Sequence, residues 1–433
     1  MQNEKKDKAI LVSTFKGGGD KDRCAEHLQE LALLADTYGV KVVDQVPCPI
    51  RRVDASTFVG SGKLAELSLL AKELQANLVI FDDDISPAQQ RNLEKAFGLT
   101  VMDRTELILG VFSERAQTKE AKLQIELAQE KYQLPRLKRM WTHLHRQTGS
   151  GKSGQYVKGE GEKQIEIDKR LVQANIDRLS RDLKEVEGHR RTQRSQRKRS
   201  GIPIFAIIGY TNAGKSTLLN ALTEADVFVE DKLFATLDTT TRKYTLPNNQ
   251  EVLLIDTVGF IRKLPHLLVA AFKGTLEESM QADILIHLVD VSDPHAVEHT
   301  EASYEVLKEL NADEKPIITV LNKVDKLEDP SRLIYFKTRY PRTVAISALT
   351  AKGFDDLIEV MIDELRKQRR VATLRIPQSD YALVSQVIEK GVVLNQYYED
   401  NDVVLKAEIP IPLLGRLEKY LDENNLHNAG SSS

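Results

Sequence analysis

The sequence predicts an α/β fold in which an N-terminal parallel α/β domain with a long αα-hairpin precedes a second parallel α/β domain and a small α+β C-terminal domain. Three observations indicate this architecture. Apolar runs alternate with amphipathic segments over residues 1–104, helical periodicity fills 105–200, and a phosphate-loop motif opens another alternating region at 201–369. Residues 370–433 form a shorter mixed unit. Alternation of strands and helices indicates a parallel sheet covered on both faces.

Composition restricts the class of protein. The 433 residues leave room for roughly two to four domains. A net charge of -3 gives no global basicity, so any contact with a polyanion must come from local patches. Cys24 and Cys48 cannot form a disulfide framework, which suits a reducing cytosol. No apolar run approaches the ~18 residues of a membrane span. We expect a cytoplasmic monomer, and peripheral contact with a membrane stays open.

The first domain shows regular alternation. Its predicted strands are Ala9–Phe15, Val40–Val46, Asn77–Phe81 and Leu99–Met102, and its predicted helices are Asp22–Tyr38, Lys63–Leu74 and Pro87–Phe97. Two places suggest a ligand: the first is Lys16–Gly19, and the second is Gly60–Lys63 together with the acidic run Asp82–Asp84. Neither completes a phosphate motif, and loop and helix-cap chemistry explains both. A second nucleotide site here rests on fold analogy alone.

Helical periodicity continues from Asp103. Asp103 and Glu106 resemble a capping box, and the helix is predicted to run to Leu134 because Pro135 stops it. A second helix is predicted from about Lys163 to Arg199, with an apolar seam at Ile176, Leu179, Leu183 and Val186. Two such helices separated by a loop indicate an antiparallel hairpin.

The loop between these helices is basic. Its stretch Arg136–Lys158 holds six Lys or Arg residues and no acid, mixed with Trp141 and Tyr156. Cations interleaved with aromatic rings suit an RNA backbone with unstacked bases, whereas a solvated connector is the alternative that composition leaves open. The candidate RNA-binding residues are Arg136, Lys138, Arg139, Arg146, Lys152 and Lys158.

The phosphate-loop motif is GYTNAGKST, which fits G-x-x-x-x-G-K-[ST]. An apolar strand, Ile202–Ile208, precedes it and a helix, Ser216–Leu222, follows, which disfavours a ligand-free glycine turn. Lys215 should reach the outer phosphates, and the Ser216 hydroxyl should ligate Mg²⁺. The phosphate-binding residues are Gly209, Tyr210, Thr211, Asn212, Ala213, Gly214, Lys215, Ser216 and Thr217.

A second motif, Asp256, Thr257, Val258 and Gly259, follows the apolar strand Val252–Ile255. The Asp256 carboxylate should hold Mg²⁺ through water, and the Gly259 N–H can contact the terminal phosphate. A threonine in the segment FATLDTTTR should complete the Mg²⁺ shell. We favour Thr236, and the run Thr239–Thr241 leaves that choice open. Lys215, Thr236 and Gly259 are the predicted catalytic residues.

Two further motifs predict the base. Asn322, Lys323 and Asp325 end an apolar strand, and the Asp325 carboxylate can accept two N–H donors that guanine offers and adenine lacks. Ser347, Ala348 and Leu349 should contact the guanine oxygen through backbone N–H groups. In this order, the motifs predict a Ras-like P-loop GTPase domain that binds GTP and GDP. Phe260 stands where a water-orienting glutamine is expected, so intrinsic hydrolysis should be slow.

The C-terminal unit carries no catalytic constellation. Its predicted strands are Val371–Ile376, Val392–Tyr398 and Asp402–Ile409, and its predicted helices are Asp380–Lys390 and Pro412–Leu421.

The chain resembles the HflX family of GTPases along nearly its whole length. The resemblance rests on FVGSGKLAEL, FDDDISPAQQRNLE, DRTELILGVFSERAQTKEAKLQIELA, YQLPRL, GEGEKQIEIDKR, GYTNAGKSTLLNAL, FATLDTTTR and DTVGF. Family members usually carry GPGETQ where this chain has Gly159–Gln164, GEGEKQ. The resemblance implies the domain order stated above.

The resemblance also implies a function. Family members bind the large ribosomal subunit, hydrolyse GTP faster there, and in several cases split stalled ribosomes under stress. On this basis the basic loop would contact ribosomal RNA near the peptidyl-transferase centre. Some members bind ATP in the N-terminal domain, which implies a second candidate site at Gly60–Lys63. The alternative is a GTP-gated assembly or sensing factor that docks on the large subunit without splitting ribosomes.

Overall fold

The computed structural model describes residues 7–17, 20–137, 160–223, 233–234, 239–263 and 281–422. Three sheets organise these residues, with four, six and three strands. The fold class predicted from the sequence is confirmed.

The N-terminal sheet is parallel throughout and has the order β2-β1-β3-β4. Its strands are β1 Lys8–Phe15, β2 Lys41–Pro49, β3 Leu78–Phe81 and β4 Thr100–Asp103, and its helices are α1 Lys21–Thr37, α2 Ser61–Glu73 and α3 Pro87–Phe97. Successive β1 side chains face opposite sides of the sheet. Ala9 and Leu11 pack in one buried cluster, and Ile10 and Val12 pack in another. Helices therefore cover both faces, as the apolar runs predicted.

The hairpin region contains one more break than predicted. Helix α4 spans Arg104–Arg115, helix α5 spans Lys119–Gln133, and the long helix α6 spans Glu160–Ser200. The prediction of one helix from Asp103 to Leu134 was wrong, because Ala116 is extended and Thr118 caps a new helix by accepting from the Ala121 N–H at 3.1 Å. Helix α6 packs on α5 through Leu127, Ile176 and Leu179, with Leu183 against them, which confirms the predicted seam at these three α6 positions.

The central sheet has the order β10-β9-β8-β5-β7-β6, with only β6 antiparallel to its neighbour. Its strands are β5 Ile204–Gly209, β6 Thr240–Thr245, β7 Glu251–Asp256, β8 Ile284–Asp290, β9 Ile317–Asn322 and β10 Thr343–Ala345. Its described helices are α7 Lys215–Thr223, α8 Ala296–Glu309, α9 Ser331–Arg339 and α10 Phe354–Lys367. The strand ends of β5, β7 and β9 therefore lie at one edge and carry the predicted motifs.

The C-terminal sheet is antiparallel and has the order β11-β13-β12. Its elements are β11 Arg369–Pro377, α11 Tyr381–Lys390, β12 Val392–Glu399, β13 Asp402–Pro410 and the short helix α12 Ile411–Leu414. The predicted helix Pro412–Leu421 was wrong beyond Leu414. Leu421 forms a bridge with Leu374, and the Asp422 N–H donates to the Thr373 carbonyl, so the chain returns to the sheet instead.

Within the part of the chain that the structure describes, no helix has the length and apolar character needed to span a bilayer.

Candidate nucleotide-binding site

The loop between β5 and α7 has a backbone that only glycine allows at two positions. Gly209 and Gly214 have φ angles of +147° and +94°. A Cβ on Gly209 would lie 2.2 Å from the Leu288 carbonyl oxygen, and one on Gly214 would lie 2.5 Å from Asn322 Nδ2. The two glycines that the motif requires therefore keep the loop close to its neighbouring strands.

Lys215 begins α7 and its side chain is buried. Its Nζ donates to the carbonyl oxygens of Tyr210 at 2.8 Å and Gly209 at 3.3 Å. Burial lowers the pKa of Lys215 to about 8, although nearby Asp256 opposes that shift. A desolvated ammonium at a helix N-terminus is well placed to attract phosphate.

Ser216 and Asp256 provide paired oxygen donors. The Ser216 hydroxyl lies 2.6 Å from Asp256 Oδ2, and Asp256 is completely buried at the end of β7. A hydroxyl beside a carboxylate matches the preference of Mg²⁺ for hard oxygen ligands, so these residues fit the predicted metal. Thr236 lies outside the described residues. Thr240 and Thr241 belong to β6, where they pair with Asp256 and Ile255.

Gly259 and Phe260 lie directly against the phosphate loop. The Phe260 N–H donates to the Gly209 carbonyl at 2.9 Å, and the Thr211 N–H donates to the Phe260 carbonyl at 2.8 Å. The Phe260 side chain is 2% exposed and packs in a cluster that includes residues of the N-terminal domain. It offers no polar group to water, in agreement with the sequence argument.

Asn322 connects the phosphate loop with the base-recognition loop. Its Nδ2 donates to the Ala213 carbonyl at 2.8 Å, and its Oδ1 accepts from the Ala348 N–H at 2.9 Å. Lys323 adopts a φ of +64°, and its Nζ lies 2.7 Å from Asp290. These contacts place two predicted motifs side by side.

Asp325 is exposed at the mouth of this loop. A hydrogen bond from the Ser347 side chain is the main cause that lowers its pKa, so the carboxylate is ionised at neutral pH. Ser347 and Ala348 are buried, whereas Leu349 is 76% exposed. The ionised Asp325 carboxylate is the acceptor that guanine recognition requires. The Ser347 and Ala348 N–H groups donate to the Lys352 carbonyl and to Asn322 Oδ1.

Arg136 has a structural role at the base of the basic loop. Its guanidinium donates to the Ile85 carbonyl at 2.8 Å and to Asp103 at 3.1 Å, and it stacks on Tyr132. Because these contacts occupy the cation, its assignment as an RNA ligand is revised. Lys138, Arg139, Arg146, Lys152 and Lys158 lie outside the described residues.

The Gly60–Lys63 stretch forms the start of α2. Gly60 is the residue before the helix, and Lys63 Nζ lies 2.6 Å from Glu66 on the same helix. The helix-cap interpretation therefore accounts for this sequence.

Contacts between the N-terminal domain and the nucleotide site were not predicted. The Tyr210 hydroxyl bonds to Glu30 of α1 and accepts from the Arg262 N–H at 2.7 Å. The acidic run after β3 provides a second contact, because Asp82 pairs with Arg104 and Arg262. The run itself was visible in the sequence, but its partners lie far along the chain.

Asn322 connects the phosphate loop with the loop that carries Asp325, the carboxylate predicted to bind the base. This arrangement defines the class of the protein as a P-loop GTPase. Three family models match successive parts of the chain. They are described as GTP-binding GTPase N-terminal at residues 25–113, GTP-binding GTPase Middle Region at 115–197, and 50S ribosome-binding GTPase at 204–323.

Full-length relatives identify the family. GTPase HflX of Chlamydia pneumoniae is 47% identical over 414 residues, covering 95% of this chain and 88% of the relative. GTPase HflX of Escherichia coli K12 is 40% identical, covering 94% of both chains. The chain belongs to the HflX family of GTPases, and the resemblance noted in its sequence is confirmed.

Among solved structures, the chain is similar to a GTP-binding protein from Sulfolobus solfataricus in complex with GDP. The two share 25% identity with a TM-score of 0.43, and the match covers 82% of this chain and 98% of the other.

Proposed function

We propose that this GTPase binds the large ribosomal subunit in its GTP form and dissociates stalled or idle ribosomes in the cytoplasm, as a monomer. The observation that carries the proposal is the match of residues 204–323 to the 50S ribosome-binding GTPase model, together with full-length similarity to HflX relatives. On this proposal, binding energy gained in the GTP state separates the subunits, and hydrolysis releases the protein.

Mg²⁺ fits this proposal. Ser216 would ligate the ion directly and Asp256 would hold it through water, with Thr236 added when the γ-phosphate is present. The ion would neutralise charge on the phosphate oxygens. Lys215 would orient the same phosphates, and the Gly259 N–H would contact the terminal one.

Hydrolysis should depend on the ribosome. Phe260 is buried and cannot orient water, so the missing group must come from elsewhere. The test is the rate of GTP hydrolysis with and without purified large subunits, using Lys215→Ala as the blank. A large stimulation supports the proposal, whereas equal rates with and without subunits would contradict it.

The basic loop is the proposed RNA contact. Helices α5 and α6 flank it, and α6 alone has 41 residues, which makes it about 60 Å long at 1.5 Å per residue. A charge-neutralised variant with Lys138→Gln, Arg139→Gln and Arg146→Gln should weaken ribosome binding. Unchanged binding would rule out the loop as the contact.

Splitting can be separated from docking by sedimentation. Intact ribosomes are centrifuged with the protein and a non-hydrolysable GTP analogue. Loss of the intact peak supports dissociation. Co-migration with an undiminished peak instead supports an assembly or sensing factor that docks without splitting.

A further inference from the structure

A cavity of about 600 Å³ lies where the central domain meets the C-terminal domain. Residues from three stretches form most of its wall. These are 201–204, between α6 and β5, 365–369, between α10 and β11, and 410–416, after β13. Ligand sites in proteins have volumes of roughly 300–1,000 Å³, so the cavity is large enough for a small molecule.

This cavity is separate from the nucleotide site. Ile204 lines it and begins β5, whereas the phosphate loop starts at Gly209, where β5 ends. These two residues are about 17 Å apart at 3.3 Å per residue. Asp283, which precedes β8, also lines the cavity. The cavity therefore lies at the edge of the central sheet opposite the nucleotide motifs.

The wall combines apolar surface with positive charge. Its apolar side chains include Ile202, Pro203, Leu365, Ile411 and Leu413, and its cations are Lys367, Arg369, Lys390 and Arg416. Among the described residues of the wall, Asp283 is the one carboxylate, and its Oδ2 already accepts from the Ile204 N–H at 2.8 Å. An excess of positive charge in a cleft with apolar walls favours a negatively charged ligand.

Arg369 is a cation without a partner. Its side chain is half-buried, and burial lowers the pKa of Arg369 while Glu408 opposes that shift. Within the part of the chain that the structure describes, its guanidinium makes no hydrogen bond and no ion pair. The buried Arg104, by contrast, pairs with Asp82 at 2.9 Å. Loss of water without a partner carries a free-energy cost, which a bound anion would offset.

Arg416 provides a second guanidinium at the same cavity. It is exposed, and no described carboxylate pairs with it. Lys367 already pairs with Glu364 at 2.6 Å, so the two arginines are the cations best placed to receive a ligand. A guanidinium binds a carboxylate or a phosphate through two parallel N–H donors.

We propose that this cavity binds a small organic anion whose phosphate or carboxylate group pairs with Arg369 and Arg416. The apolar body of the ligand packs on Leu365 and Leu413. A nucleic-acid backbone would gain nothing from these apolar side chains, and inorganic phosphate would not cover them. The inference is independent of the proposed ribosome function, because it concerns neither the nucleotide site nor the basic loop.

The test uses the full chain saturated with GDP and Mg²⁺, so that the phosphate loop is occupied. The probes are octyl phosphate and octanoate, which carry the two head groups on the same apolar chain, and calorimetry measures their dissociation constants. At least one of them should bind. Octyltrimethylammonium, with a positive head group, and inorganic phosphate, without a chain, should bind at least about tenfold more weakly. Comparable binding of either control compound would overturn the inference, as would absence of binding by both octyl anions.

Variants locate the binding site. Arg369→Gln and Arg416→Gln should each weaken binding of the octyl anion by about tenfold or more, because a charge-assisted contact is lost. Arg366→Gln is the matched control and should bind as the wild type does. Arg366 is an exposed cation on α10 that pairs with Asp363 and does not line the cavity. Equal affinities in all three variants would contradict the proposed site.

Thermal unfolding without the probe distinguishes ligand binding from a structural role of Arg369. Arg369→Gln removes a half-buried cation that has no described partner, so its unfolding midpoint should equal or exceed that of the wild type. A lower midpoint, together with lost binding of the octyl anion, would show that Arg369 supports the fold and would overturn its assignment to the ligand.

Discussion

The Asn322 side chain donates to the Ala213 carbonyl at 2.8 Å. This hydrogen bond connects the end of β9, where the base-recognition motif begins, with the phosphate loop. Asn322→Ala removes this bond and the bond from the Ala348 N–H, leaving two buried backbone groups without partners. The cost of about 1–3 kcal/mol should weaken GDP binding by roughly 5- to 150-fold.

Calorimetric titration with GDP checks this prediction. Asn248→Ala is the control, because Asn248 is exposed in a turn and bonds only to Gln250. Equal GDP affinities for the two variants would show that the Asn322 contact does not position the phosphate loop.

Asp325 should decide which base is bound. Asp325→Asn replaces a carboxylate that accepts two hydrogen bonds by an amide that accepts one and donates one. The amide suits xanthine, because xanthine carries an oxygen where guanine carries an amino group. GDP affinity should fall by at least about a hundredfold, and xanthosine diphosphate should become the better ligand. Competition binding measures both. Asp329→Asn, an exposed carboxylate that bonds to Ser331, should change neither affinity.

Ser216 should couple nucleotide binding to Mg²⁺. Ser216→Ala removes the hydroxyl 2.6 Å from Asp256, and the metal loses one direct ligand. The affinity of Ser216→Ala for a GTP analogue should then change little with Mg²⁺ concentration. The wild type should bind the analogue more tightly as the Mg²⁺ concentration rises. Ser180→Ala, which affects a hydroxyl bonded to its own helix, should behave as the wild type. A full Mg²⁺ response in Ser216→Ala would contradict the assignment.

His287 should make the central sheet sensitive to acid. Burial, with a smaller effect of Lys215, lowers the pKa of His287 to about 4 from 6.5. Above pH 6.5 both folded and unfolded states are neutral at this residue. As pH falls toward 4, the unfolded state binds a proton that the folded state does not. This difference lowers the free energy of unfolding by up to about 3 kcal/mol.

Urea unfolding between pH 7.5 and 4.5 tests this, with His287→Leu as the comparison. The stability of the wild type relative to that variant should decline below pH 6.5. Parallel profiles for the two proteins would mean that His287 does not contribute.

Variants at Arg136 and Lys138 should distinguish a structural role from a role in RNA binding. Arg136→Gln leaves the buried Asp103 without its cation and should lower the unfolding free energy by about 3 kcal/mol. Lys138→Gln should leave stability unchanged and weaken ribosome binding. Thermal unfolding and ribosome co-sedimentation measure the two effects. Wild-type stability in Arg136→Gln would contradict the structural role.

Local patterns predicted most elements of this protein well. The capped helix Pro87–Phe97 has the predicted bounds, because Ser86, Pro87 and Gly98 mark its ends within the sequence itself. The break at Thr118 was missed because apolar spacing continues across it, and only the cap geometry shows that a new helix starts. Arg136 was taken for a loop cation because its partner Asp103 lies 33 residues away.

The sequence by itself determined the chemistry of the nucleotide site. The phosphate loop, the Asp256–Gly259 motif and the Asn322–Asp325 motif each act through residues that are contiguous in the chain, so their spacing is visible in one sequence. Only the tertiary structure decided what restrains that site. Asp82 and Arg262 are 180 residues apart, and their pairing depends on how two separate sheets pack, which no local pattern encodes.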